Sequence, residues 1–183
     1  YKHVTNKDDL LDGMVATLID SYDPPAPELG WKDAVRAQIL SARQVLLKHP
    51  WARQVIESRT TRTPQVLGYM DRLSGLFIEG GFSPDLTHHA MHALGHRIWG
   101  FSPEAFDDPD SLHPPADPAQ RQAMFEMVQS VYPYIAMIAL DSAGGDLTKV
   151  GDGCDEQFEF EFTLDLLLDA FERLQEAEWS SRR

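Results

Sequence analysis

The chain is short of sulfur, of cations and of long apolar runs, and each shortage removes a class of protein. A single cysteine, Cys154, leaves no pair for an internal disulfide, so a reducing, cytoplasmic setting is expected. Sixteen Lys+Arg stand against 29 Asp+Glu, a formal charge of -13, and such a chain repels phosphate backbones. DNA binding by this chain alone is therefore excluded as an expectation. No apolar stretch approaches the roughly 18 residues of a membrane span, and the first residues have neither the basic nor the apolar part of a signal peptide. Alternation typical of a strand occurs only in Phe158-Glu159-Phe160-Glu161-Phe162, and there it runs on into TLDLLLDAFERL at helical spacing. What remains is an all-α protein, and 183 residues at 43% hydrophobic content suffice for one sizeable core.

Periodicity and punctuation divide the chain into helices. Leu11, Met14, Val15, Leu18 and Tyr22 share a face over 6–22, capped by Thr5 or Asn6 and stopped by Asp23-Pro24-Pro25. Trp31, Val35, Ile39, Ala42 and Leu46 do the same over 31–48, where His49-Pro50 ends the run and a short helix to 58 begins. Thr63-Pro64 opens a third long helix that Gly80-Gly81 closes, and Ser83-Pro84 opens a fourth to about residue 100. An acidic, proline-rich connection over 101–118 precedes a helical stretch at 119–140, kinked or divided by Pro133. Residues 144–155 read as a loop, and 155–179 as the last helix.

That last helix has two apolar stripes. At 100° per residue Phe160, Leu164, Leu167, Phe171 and Leu174 lie within an arc of about 80°, while Phe158, Phe162 and Leu166 fall roughly opposite. One stripe can face the chain's own core, and the other calls for a partner helix or for further cover from the same chain. The 83–100 helix is similar, with Leu86, Ala90, Met91, Leu94 and Ile98 on one face and His88, His92, Gly95, His96 and Trp99 on another. The two helices and their symmetry mates would make a four-helix interface of a homodimer, with His88, Gly95, Phe158, Phe162, Leu164, Leu167 and Phe171 as its candidate residues.

Four stretches in order resemble the tetracycline-repressor (TetR) family of transcriptional regulators: YKHVTNKDDLLDGMV, DAVRAQILSARQVLLKHPWARQVIESR, GLFIEGGFSPDLTHHAMHALGHRIWGF and FEFEFTLDLLLDAFERL. The first resembles the end of the family's DNA-binding domain and the last its final dimerisation helix; Thr163 departs from the family pattern, which has Gly there, and bears on how closely the two final helices approach. The resemblance implies a helix-turn-helix ahead of Tyr1, with Tyr1, His3 and Lys7 beside DNA, so that 1–22 ends the DNA-binding domain and connects it to an effector-binding and dimerisation domain over 23–183. Operator DNA would then be bound only through that preceding element.

The resemblance also implies a cavity whose small-molecule effector shifts the connecting helix. Candidate contacts are Gln38, Trp51, Tyr69, Met70, Phe77, His92, Trp99, Tyr132 and Met137, a mostly bulky and adaptable set, between the 31–48, 63–80 and 83–100 helices with 119–140 closing one side. His88, His92 and His96 repeat every four residues and two such rings can share a metal, which keeps a helical metal-dependent enzyme open as an alternative. No HExxH occurs, no acid and base groups converge, and no cofactor or metal is expected. A dimerisation scaffold without a cavity is the third reading.

Overall fold

The protein is described by a computed structural model covering residues 4–60, 62–99, 115–150 and 155–182, with 96–99 described in their backbone only. Tyr1, His3, Cys154 and the side chains of His96 and Trp99 lie outside the described residues. Eight helices and no strand occur among those described: α1 (Lys7–Asp20), α2 (Trp31–Lys48), α3 (Ala52–Glu57), α4 (Pro64–Glu79), α5 (Pro84–Trp99), α6 (Pro118–Val131), α7 (Pro133–Ser142) and α8 (Glu156–Glu176).

The helices begin where polar caps can take up unpaired backbone donors. Asn6 Oδ1 accepts from Asp9 N at 2.9 Å, Thr63 Oγ1 from Val66 N at 3.4 Å, and Ser83 Oγ from Leu86 N at 3.1 Å. Asp155 Oδ1 accepts from the amides of Gln157 and Phe158, both at 3.0 Å, at the start of α8. Proline stands first in α4, α6 and α7, where its missing N–H costs no helical bond. Pro133 divides the expected 119–140 helix in two: Tyr132 closes α6 with a bond from its N to Val128 O at 2.7 Å, and α7 starts at the next residue.

The contacts form two compact units, residues 1–101 with 161–183, and residues 102–160. In the first, α4 packs against α1, α2 and α5, while α1 also meets α2 and α3. Trp31, Phe77, Phe82 and Phe171 make an aromatic core, with centroids 4.6 Å apart for Trp31 and Phe82, 5.1 Å for Phe77 and Phe82, and 6.1 Å for Phe77 and Phe171. Burial of each such ring is worth about 1.5–3 kcal/mol. The α4–α5 turn is cut to fit this core: a Cβ on Gly80 would lie 2.5 Å from Trp31 Cγ, and Gly81 has φ +90°. Four carboxylates of α8 then meet two cations of α2. Lys32 Nζ lies 2.7 Å from Asp169 and 2.6 Å from Glu172; Arg36 reaches Glu161 at 2.6 Å and Asp165 at 2.7 Å. These pairs are solvent-facing and worth little individually, but they register α8 on α2.

In α8 the buried positions are Phe160, Leu164, Leu168 and Phe171, whereas Phe158, Phe162 and Leu166 are 62%, 52% and 51% exposed. Leu167, expected at the dimer interface and on one stripe with Phe160 and Leu164, is half-buried, and its neighbour Leu168 takes the buried place beside them.

In the second unit α6 packs against α7. Large apolar side chains there stay exposed, among them Met127, Tyr134, Ile135 and Ile138, and in α7 only Ala136 is buried.

Candidate functional site

Val15 and Ile19 of α1, Ile56 of α3, Val66, Tyr69, Met70 and Leu73 of α4, and Met91, Leu94 and Gly95 of α5 enclose a cavity of about 400 Å³. Arg59, Thr60 and Arg62, from the segment between α3 and α4, complete the wall among the described residues. Helical spacing makes the enclosure: Val66, Tyr69, Met70 and Leu73 occur at intervals of three and four on α4, and Met91, Leu94 and Gly95 do so on α5. A wider cleft of about 850 Å³ adjoins it, lined by Arg62, Met70, Ser74, Ile78, Pro84, Thr87, His88, Met91, His92 and Gly95. Arg62, Met70, Met91 and Gly95 belong to both and mark the junction. A Cβ added at Gly95 would meet nothing within 4 Å, so the glycine leaves open space there.

The polar side chains on these walls among the described residues are hydroxyls, arginines and histidines, all able to donate a hydrogen bond. The hydroxyls of Tyr69 and Thr87 are buried and have no hydrogen-bond partner among the described residues. Burial raises the Tyr69 pKa above its ordinary value, with a further contribution from Tyr22, and the protonated phenol has an O–H to donate. Arg59 is committed elsewhere: Nη1 lies 2.8 Å from Asp8 and Nε 2.9 Å from Asp12, both on α1. One wall residue of the cavity thus also holds the first turns of α1.

Of the expected effector contacts, Tyr69 lies on the inner cavity, Met70 on both spaces and His92 on the outer cleft. Phe77 is fully buried in the aromatic core, Gln38 is buried in α2, and Trp51 is partly exposed, with its ring 5.4 Å from that of His49. Tyr132 and Met137 belong to the second unit and are exposed. Among the described residues none from α2, the expected 31–48 wall, lines either space, and its apolar face, with Val35, Ile39 and Ala42 fully buried, is taken up by core packing. Val15, Ile19, Arg59, Arg62, Met91 and Leu94 come together from separate parts of the chain, and no spacing within one element links them.

Of the expected interface residues, Phe158 and Phe162 are exposed, Leu164 and Phe171 are buried in the chain's own core, and His88 and Gly95 line the cleft. Lys7 is the exposed first residue of α1. The rings of His88 and His92 stand 4.6 Å apart at 70°, and no group of three or more His, Cys, Asp or Glu placed to hold a metal occurs among the described residues. No described helix is long and apolar enough to cross a membrane.

Comparison with known proteins places this arrangement. Residues 24–174 match the family "Tetracyclin repressor-like, C-terminal domain". The chain is 24% identical over 162 residues to the HTH-type transcriptional repressor DrrR1 of Streptomyces coeruleorubidus, covering 84% of this chain and 60% of that protein. It is 32% identical over 84 residues to an HTH-type transcriptional regulator of Saccharopolyspora erythraea, covering 45% of this chain and 35% of that protein. The chain therefore spans 60% or less of the length of these curated relatives. Among solved structures, a possible TetR family regulator from Streptomyces coelicolor A3(2) superposes with a TM-score of 0.66 at 24% identity, over 92% of this chain and 78% of that one. The Streptomyces coelicolor TetR family protein ActR, in complex with actinorhodin, superposes with a TM-score of 0.63 at 22% identity, over 94% and 79%. At such identities the structural likeness speaks for the fold, while the sequence match covers most of the chain: it belongs to the tetracycline-repressor-like C-terminal domain family of transcriptional regulators.

Proposed function

We propose that this chain is the effector-sensing and dimerising part of a transcriptional repressor, and that the effector occupies the cavity between α1, α3, α4 and α5. The observation that carries this reading is the cavity itself: about 400 Å³, largely apolar, with a buried Tyr69 hydroxyl on its wall that has no partner among the described residues. A buried donor without a partner costs about 1–3 kcal/mol, and a ligand acceptor would recover that cost. ActR, with the same fold, holds the small molecule actinorhodin; here only the role is carried over.

The lever is α1. Its Val15 and Ile19 line the cavity, and its Asp8 and Asp12 are held by Arg59 from the same wall. A ligand that displaces Arg59 or pushes on Val15 favours one of two packings of α1, and with it the placement of a DNA-reading element joined through 1–22. Operator DNA would be bound by that element in the full-length protein, as a homodimer. The exposed Phe158, Phe162 and Leu166 stripe of α8 supports the dimer, because a second copy of the helix covers it by symmetry.

A thermal-shift screen of planar drugs and natural products, with actinorhodin among them, tests the proposal on the 183-residue chain and on Gly95→Phe, whose ring fills the junction. A compound at a hundred times its dissociation constant stabilises by about 2.7 kcal/mol. The expected result is a compound that raises the midpoint of the parent chain and not that of Gly95→Phe. Equal shifts in both proteins would place binding elsewhere and sink the reading.

A further inference from the structure

The residues lining the two spaces include Arg59, Arg62, His88 and His92 but no Asp or Glu among those described, in a chain with 29 acidic and 16 basic residues. Arg59 is neutralised by Asp8 and Asp12. Arg62 makes no ion pair or hydrogen bond among the described residues, and it lines both the inner cavity and the outer cleft. An acid-rich chain that keeps acids off one apolar wall, and leaves a guanidinium there without a partner, has a site suited to an anion.

From this we infer that the effector is an amphiphilic anion, with an apolar, aromatic-sized body in the inner cavity against Tyr69, Leu73 and Leu94 and its acidic group at Arg62. The inference rests on the reading of this cavity as the effector site. Arg62 is exposed to solvent where the two spaces join, and its guanidinium offers a planar fork of donors that fits an oxyanion. The overall charge of -13 opposes an approaching anion, but at physiological salt that field is screened beyond about 8 Å, whereas direct contact with Arg62 is not. His88 on the cleft wall adds a ring N–H donor to the same anion from α5.

Two probes with the same body separate charge from burial: 1-anilinonaphthalene-8-sulfonate, and N-phenyl-1-naphthylamine, which lacks the sulfonate. Fluorescence titrations are run on the 183-residue chain, on Arg62→Gln, on Arg62→Lys and on Gly95→Phe, and the cavity signal is the part that Gly95→Phe abolishes. For that signal the sulfonated probe is expected to bind about tenfold more tightly than the neutral one. Arg62→Gln should erase the difference and leave the neutral probe within about twofold, and Arg62→Lys should keep part of it. Equal affinity of the two probes, or an unchanged sulfonate affinity in Arg62→Gln, would overturn the inference while leaving an effector cavity that takes neutral molecules. Absence of any Gly95→Phe-sensitive signal for either probe would overturn both the inference and the cavity reading beneath it.

Discussion

The rings of Tyr22 and Tyr69 meet edge to face, with centroids 5.4 Å apart and an interplanar angle of 72°. Tyr22 follows the end of α1 and Tyr69 lines the cavity from α4, so the pair joins the proposed lever to the proposed site. Both hydroxyls are buried without a partner among the described residues, and burial pushes the Tyr22 pKa up to about 12 and raises that of Tyr69 as well. A raised folded pKa means stability that is full below the unfolded value of 10.0 and is lost as pH climbs through the folded one. Tyr22 and Tyr69 should therefore ionise late, above pH 10, with unfolding setting in over the same window. Tyrosinate absorbance against pH reads this directly; five tyrosines ionising together near pH 10 in a folded chain would contradict it.

Tyr69→Phe removes one of these unpartnered hydroxyls from a buried place. Chemical denaturation should show stability unchanged or raised by up to about 1 kcal/mol, because the lost group made no bond to offset its desolvation. A loss of 1 kcal/mol or more would mean that the hydroxyl has a partner in the free protein.

Gly80→Ala places a methyl 2.5 Å from Trp31 Cγ, and the tryptophan is wedged between Phe77 and Phe82. Moving it should cost about 1–3 kcal/mol, typical of an overpacked core, and lower the thermal midpoint accordingly. A midpoint within experimental error of the parent would show that Trp31 has room to move.

The two stripes of α8 should respond differently to charge. Phe162→Asp, at a half-exposed position, should convert a dimer to a monomer in sedimentation with its helical circular dichroism intact. Leu164→Asp, at a position 1% exposed, should instead lose the fold, since it buries an unpaired carboxylate. A dimer that survives Phe162→Asp would move the interface away from this stripe.

Arg59→Met removes the contacts to Asp8 and Asp12 while keeping an apolar wall. Amide exchange over residues 7–12 should accelerate, and a ligand that slows exchange there in the parent should no longer do so, although it still raises the midpoint. Parallel loss of both effects would make Arg59 a binding residue and not a link to α1.

Much of this was legible in the sequence because helix ends are written in local chemistry. His49-Pro50 after Lys48 ends α2, and Pro133 marks the break between α6 and α7 at the residue where it occurs. The two stripes of α8 followed from the 3.6-residue repeat, but which one turns inward did not: Phe158-Phe162-Leu166 and Phe160-Leu164-Phe171 are equally apolar, and the choice is made by Phe77, Lys32 and Arg36 from other helices. The cavity was the least legible part. A void is defined by side chains that fail to meet, so Tyr69 and Met70 were found as bulky residues while Phe77, equally bulky, fills the core instead. Arg59 and Arg62 lie between helices, where no periodicity assigns a direction.

The central claim is that a small molecule sits between α1, α3, α4 and α5 and biases α1. The most direct measurement is a crystal structure of the 183-residue chain with the strongest stabilising compound from the screen. The account predicts ligand density against Tyr69, Met70 and Leu94, a hydrogen bond at the Tyr69 hydroxyl, and α1 displaced relative to the free chain. Density on the α8 stripe or at α7, with the inner cavity empty and α1 unmoved, would contradict it.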